Sequence, residues 1–190
     1  MQVTFRILRF NPEVDKEPHF EDYRFEGHEN MTVLDCLHKI KWEHDGSLAF
    51  RRSCAHGVCG SDGMRINGRN HLACSTLLKD INTKKPVVIE PLPAMPIIKD
   101  LILDMTDFYE KYKAVKPYLI NNTPVTEDSE RLQSNADAEK LFESAKCILC
   151  ACCTTSCPST WTNNNYIGPA ALLKAYRFVF DTRDEAADER

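Results

Sequence analysis

The sequence predicts an α+β fold class: a strand-rich domain over residues 1–98, followed by an all-helical domain over residues 99–190. Three observations carry this reading. Apolar residues near the start recur with a period of two, those beyond residue 100 recur at helical spacing, and Pro91, Pro93 and Pro96 stand between the two regimes. Proline removes a ladder donor and disfavours helix at the residue before it, so the cluster reads as a boundary. At 190 residues the chain is long for one domain and sufficient for two small ones.

Val3, Phe5 and Ile7 alternate with Thr4, Arg6 and Leu8, which is a half-buried strand. Asn11-Pro12 breaks it, and residues 19–25 supply a returning partner. Thr32-Val33-Leu34-Asp35 puts a threonine N-cap three residues before an acid, close to a capping box, and Val33, Leu34, Leu37 and Ile40 continue at helical spacing. After a loop bearing cysteines, residues 64–66 and 72–74 flank Asn67-Gly68, a hairpin turn pair. Residues 86–91 read as a short last strand. Beyond the prolines, Leu101, Ile102, Met105, Phe108, Tyr109 and Tyr112 fall on one helical face. Residues 117–130 are polar and loop-like, and residues 137–145 form a short helix. Another helix covers residues 170–180, with Pro169 near its first turn. The charged stretch 181–190 is expected to fray.

Composition bounds the function. Hydrophobic residues make up 43%, enough for a real core, while a net charge of −4 gives no polyanion such as nucleic acid a basic surface to bind. The start at Met1 lacks a charged n-region and an apolar h-region, so no signal peptide is expected. Nine cysteines in a reducing compartment are then more often metal ligands or catalysts than disulfides. No apolar run approaches the roughly 20 residues a membrane helix needs, so membrane association is expected to come through a partner.

The first cysteine group is Cys54-Ala55-His56-Gly57-Val58-Cys59-Gly60-Ser61-Asp62, with Cys74 further on. Plant-type [2Fe–2S] sites use Cys-x4-Cys-x2-Cys and a distant fourth cysteine. Here Cys54, Cys59 and Cys74 fit, and Asp62 stands where the third cysteine belongs. Gly57, Gly60, Gly63 and Gly68 are four of the seven glycines, as a loop wrapped closely round an inorganic core requires. Asp62 is read as the fourth ligand; the alternative is a surface aspartate, with Cys36 or water completing the site. Cys36 sits within the first helix, where a buried small apolar role is commoner. Zinc is the other general reading, three cysteines with His56 or His71 making a Cys₃His tetrahedron. The glycine-rich loop and the downstream cysteines weigh against it.

Those downstream cysteines form the run Cys147-Ile148-Leu149-Cys150-Ala151-Cys152-Cys153-Thr154-Thr155-Ser156-Cys157-Pro158. Its spacing, Cys-x2-Cys-x2-Cys-x3-Cys-Pro, is that of bacterial ferredoxins, in which the first three cysteines hold one cluster and the fourth serves another. Cys147, Cys150 and Cys153 can hold three irons of a cubane, Cys152 reads as packing, and Cys157-Pro158 turns the chain toward a second cluster. A single [4Fe–4S] on all four cysteines is the simpler, weaker reading. No cysteine follows Cys157.

With both cysteine groups in this order, the chain resembles the iron–sulfur subunit of succinate dehydrogenase, or its relative fumarate reductase. The likeness extends over essentially the whole length. It rests on Arg51-Arg52-Ser53-Cys54, the stretch from Cys59 to Gly68, Cys147-Ile148-Leu149-Cys150-Ala151-Cys152-Cys153 and Gly168-Pro169-Ala170. The resemblance implies an N-terminal β-grasp plant-type ferredoxin domain with a [2Fe–2S] cluster on Cys54, Cys59, Asp62 and Cys74. It also implies an all-α ferredoxin-like domain in which Cys147, Cys150 and Cys153 serve a [4Fe–4S] cluster and Cys157 a [3Fe–4S] cluster. Family members continue further and bring the remaining ligands for these two clusters, so the helical domain is expected to be C-terminally incomplete, its clusters depending on ligands supplied from elsewhere.

The implied reaction is succinate oxidation at FAD in a separate flavoprotein subunit, with electrons passing singly along the clusters to quinone beside membrane-anchor subunits. The implied location is peripheral, on the cytoplasmic face of a bacterial inner membrane or the matrix face of a mitochondrial one. Pro158, Ser159 and Trp161 correspond to quinone contacts. Ubiquinone-using members have a second tryptophan where this chain has Thr162, so menaquinone is as plausible. No residue is expected to act as acid, base or nucleophile. A soluble electron-transfer adaptor for another flavoprotein is the rival class.

Overall fold

The computed structural model describes residues 1–125 and 130–190. The strands are β1 (Gln2–Arg9), β2 (His19–Glu26), β3 (Gly63–Ile66), β4 (Arg69–Leu72), β5 (Val87–Glu90), β6 (Ile97–Lys99) and β7 (Ile102–Leu103). The helices are α1 (Val33–Glu43), α2 (Thr106–Ala114), α3 (Asn135–Ala145), α4 (Cys152–Thr155), α5 (Pro158–Thr162) and α6 (Gly168–Val179). They fall into two units. One is Met1–Met105 with Ile148–Ser156, the other Thr106–Cys147 with Cys157–Arg190.

In the first unit, β1 turns Val3, Phe5, Ile7 and Arg9 inward, as its alternation dictates. It pairs antiparallel with β2, placing Val3 opposite Phe25, and the rings of Phe5 and Phe25 meet edge to face at 5.3 Å. The capping box at α1 is formed: the Asp35 N–H donates to Thr32 Oγ1 at 3.0 Å and the Thr32 N–H donates to Asp35 Oδ2 at 2.9 Å. Such a cap stabilises a helix by about 1 kcal/mol. The helix buries Val33, Leu34, Cys36, Leu37 and Ile40 in one core with Phe5 and Ile7. Each large apolar side chain buried there contributes roughly 1.5–3 kcal/mol. Asn67 and Gly68, at φ of 49° and 81°, make the tight turn between β3 and β4. The second strand of that hairpin lies earlier than residues 72–74: β4 spans Arg69–Leu72, and residues 73–75 coil into a 3₁₀ turn that carries Cys74.

The last strand of the five-stranded sheet sits at its centre. β5 runs parallel to β1, with Ile7 opposite Ile89, and antiparallel to β3, with Ile66 opposite Ile89, in the order β2-β1-β5-β3-β4. Residues 101–105, expected to begin a helix, instead include β7, which pairs with β6. The cause is Asp100, buried at the turn between them with φ of 47°. Its carboxylate accepts from the Phe10 N–H and Arg9 Nε at 3.0 Å each and from the Ala49 N–H at 2.8 Å. Leu101 then donates its N–H to Ala49 O, which leaves no helical continuation, and α2 starts only at Thr106.

In the second unit, α2 and α3 pack on α6, and Ser134 caps α3 by accepting the Asp137 N–H at 3.1 Å. The loop expected over residues 117–130 bears no helix or strand where it is described; residues 126–129 lie outside the described residues. The stretch 181–190 is not frayed. Asp181 is buried and accepts from Arg177 and Arg183, while Arg190 and Asp184 pair at 2.6 Å with both side chains fully buried. The Glu185 N–H donates to Ile120 O, and Arg190 Nη1 donates to Val115 O at 3.1 Å. Asp181, Asp184 and Arg190, which read as part of a solvated tail, are paired inward.

Candidate metal centre

Residues 51–62, between α1 and β3, form no helix or ladder, which frees their amides to face the thiols. Cys54 Sγ accepts from the N–H groups of His56, Val58 and Cys59 at 3.5, 3.4 and 3.3 Å. Cys59 Sγ accepts from the Cys54 N–H at 3.5 Å and the Ser61 hydroxyl at 3.2 Å. Across the loop, the Gly57 N–H donates to Cys74 Sγ at 3.2 Å. Donors aimed at sulfur favour its thiolate form. The Ser61 hydroxyl, followed by the backbone N–H groups of Ser61 and Cys54, lowers the Cys59 thiol to about 6. Burial raises the Cys74 thiol, and the neighbouring Asp62 adds to it.

Asp62 is 3% exposed, which removes the reading of it as a surface aspartate. Its Oδ2 accepts the Cys74 N–H at 2.5 Å, while its Oδ1 is buried with no hydrogen-bond partner. Leaving a buried acceptor unpaired costs on the order of 1–3 kcal/mol, more for a charged group, and a cation at Oδ1 removes that cost. Cys36 lies instead on the buried face of α1, fully enclosed, where burial pushes its thiol up to about 12. His56 is exposed, and its Nδ1–H donates to Cys54 O at 2.5 Å; His71 is exposed on β4.

A mononuclear zinc site gathers its donors round one ion. A two-iron cluster divides its ligands between two metals. Three thiols surrounded by amide donors, with one orphaned buried carboxylate oxygen beside Cys74, match its demands for anionic ligands and donors to sulfur.

Within the same unit, residues 148–156 lie against the loop and β4. A Cβ on Gly60 would stand 2.7 Å from Ile148 O and 2.9 Å from Cys150 Cα, and Gly60 has φ of 71°, so no other residue fits there. Asn70 Nδ2 donates to Cys152 O at 3.3 Å, Thr155 Oγ1 at 2.9 Å and Ser156 Oγ at 2.8 Å. Leu149 and Ala151 have φ of 55° and 62°, strained for residues with side chains, and such strain concentrates at functional sites. A hydrogen bond from the Cys152 thiol lowers Cys150 to about 6, and the same bond raises Cys152. Cys153 is exposed, its Sγ 4.0 Å from Thr154 Oγ1.

In the second unit, Cys147 is half-buried, and its charge adds to the burial that raises the Tyr112 phenol. Cys157 occupies the N-cap of α5 with Pro158 at the first turn, and the Thr160 N–H lowers its thiol. Ser159 is exposed in α5, and Trp161 is 53% exposed.

Residues 4–110 match the family described as the 2Fe-2S iron-sulfur cluster binding domain. A succinate dehydrogenase iron-sulfur subunit from Coxiella burnetii is 50% identical over 191 residues, which cover 99% of this chain and 80% of that relative. The chain belongs to the succinate dehydrogenase iron–sulfur subunit family. The mitochondrial iron-sulfur subunit 3 of Arabidopsis thaliana succinate dehydrogenase is 49% identical over 98% of the chain, which spans 61% of that relative's length. A Mycobacterium smegmatis Sdh1 complex, solved in the apo form, superposes with a TM-score of 0.87 at 26% identity, over 99% of this chain and 80% of that one.

Two features of the site were not singled out from the sequence. Ser61 reaches Cys59 from beside Asp62, and its place two residues after a candidate ligand was the available signal. Asn70 anchors the second cysteine run from the edge strand β4, and nothing local marks it.

Proposed function

We propose that this chain carries electrons singly from a flavin in a partner flavoprotein subunit toward membrane quinone, with Cys54, Cys59, Asp62 and Cys74 holding a [2Fe–2S] cluster as the first station. When bound, such a cluster supplies a one-electron couple whose potential depends on net charge and on hydrogen bonds to sulfur. The observation that carries this reading is the buried, unpartnered Oδ1 of Asp62, next to Cys74, at the end of a loop whose amides donate to the thiols of Cys54, Cys59 and Cys74. The amides of residues 54–59 offset negative charge at the thiolates, and the Cys74 N–H holds the Asp62 carboxylate in place. No side chain has to transfer a proton.

By their spacing, Cys147, Cys150 and Cys153 serve one cluster and Cys157 another; the family resemblance implies that these are a [4Fe–4S] and a [3Fe–4S] cluster, each completed by further ligands. The arrangement is a β-grasp ferredoxin domain followed by a helical ferredoxin-like domain. Exposed Pro158, Ser159 and Trp161 are proposed to face quinone. Among the described residues no helix is long and apolar enough to cross a membrane; the mitochondrial relatives support peripheral attachment through anchor subunits.

Affinity purification from its own cells under mild conditions tests the reading. The chain is expected to bring down a subunit with covalent flavin fluorescence and to be reduced when succinate is added. Isolation with a different flavoprotein, and no response to succinate, would overturn it.

A further inference from the structure

We propose that Ser61 is a positioning residue that raises the reduction potential of the centre at Cys54, Cys59, Asp62 and Cys74 by donating its hydroxyl hydrogen to Cys59 Sγ. The inference rests on the ligand set proposed above. At 3.2 Å this contact is closer than that of Ser75 with Cys74 at 3.7 Å or Thr154 with Cys153 at 4.0 Å. A metal-bound cysteine carries no proton, so in this pair the hydroxyl must be the donor. The remaining donors to Cys54, Cys59 and Cys74 are mostly backbone amides, fixed by the loop's path. Ser61 therefore supplies a donor that a single substitution can remove.

Reduction adds one electron, part of whose charge spreads onto the ligand sulfurs. A donor already aimed at Cys59 Sγ stabilises that added charge more than it stabilises the oxidised state. No bond is broken, and the hydroxyl keeps its proton throughout. The donors are also unevenly distributed. Cys54 and Cys59 accept from the amides of Cys54, His56, Val58, Cys59 and Ser61 and from the Ser61 hydroxyl, whereas Cys74 accepts from the Gly57 amide, with Ser75 more distant. The Cys54–Cys59 side of the centre is thus the better prepared for negative charge.

The test is an anaerobic titration with redox dyes, followed by EPR, on the wild-type protein, Ser61→Ala and the isosteric pair Ser61→Thr and Ser61→Val. Loss of the hydroxyl is expected to lower the equilibrium constant for reduction about tenfold, about 59 mV for one electron, with iron and sulfide content kept. Ser61→Thr should stay within about twofold of wild type, the threonine hydroxyl retaining the donor. If Ser61→Ala does not retain its cluster, the Thr and Val variants make the same comparison at matched shape. Equal potentials with and without the hydroxyl overturn the role of Ser61 while leaving the ligand set standing. A wild-type protein with no [2Fe–2S] signal overturns the ligand set, and this inference with it.

Discussion

The backbone N–H of Cys74 donates to Asp62 Oδ2 at 2.5 Å, and the other oxygen of that carboxylate is buried without a partner. One hydrogen bond thus fixes the side chain while leaving a lone-pair donor free next to Cys74. Asp62→Ala is expected to lose most of its [2Fe–2S] absorbance and iron, whereas Asp62→Cys, which restores an anionic ligand, should keep both. Full cluster content in Asp62→Ala would exclude the carboxylate as a ligand.

Thiol chemistry in the metal-free protein should separate the cysteines. Cys59 is lowered to about 6 by the Ser61 hydroxyl and nearby amides, and Cys36 is raised to about 12 by burial. The Cys59 thiolate fraction rises as pH increases through about 6, so iodoacetamide at about pH 7 should label Cys59 readily and Cys36 only after unfolding. Mass spectrometry of timed samples reads the order; equal labelling rates at the two sites would contradict it.

Gly60 is confined by both its φ of 71° and the approach of Ile148 O. An alanine there pays roughly 1–2 kcal/mol for the left-handed backbone before any clash is counted. Gly60→Ala is therefore expected to lose about 3 kcal/mol in urea unfolding, with early proteolytic exposure of residues 148–156. A midpoint unchanged from wild type would show that this segment does not press on the loop.

Hydrogen bonds from Arg183, aided by Arg177, hold the Asp181 carboxyl well below its ordinary value even though burial opposes this. Its stabilising contribution is therefore complete above the unfolded value of about 3.9 and is lost as pH falls through the depressed folded value. Asp181→Asn should destabilise the helical unit by about 2 kcal/mol at neutral pH, with the gap closing as the pH falls to about 2. Thermal unfolding followed by circular dichroism at several pH values measures this. A gap that does not change with pH would remove the ion pairs as its cause.

Local rules made much of the fold legible. Alternation marks β1, the Thr32–Asp35 box marks the start of α1, and Asn67-Gly68 marks the turn between β3 and β4. What escaped depends on distant partners. The apolar residues at 101, 102 and 105 fit a helical face, yet Asp100, held by Arg9, Phe10 and Ala49, forces a turn and a ladder. The central place of β5 comes from pairing with β1, about eighty residues earlier, which no local pattern encodes. Residues 181–190 look solvated by composition because the partners of Asp181 and Asp184 are fixed only by folding. At the metal centre, the spacing brought out the cysteines and Asp62, but neither the orphaned oxygen nor the Ser61 contact can be read without coordinates.

EPR of the anaerobically isolated protein, before and after dithionite, tests the central claim most directly when run on wild type beside Cys36→Ser. A [2Fe–2S] centre on Cys54, Cys59, Asp62 and Cys74 is silent when oxidised, gives a half-integer-spin signal when reduced, and gives it equally in both proteins. A signal lost in Cys36→Ser would contradict the ligand set. A wild-type protein that holds zinc and stays silent after reduction would contradict the electron-transfer centre itself.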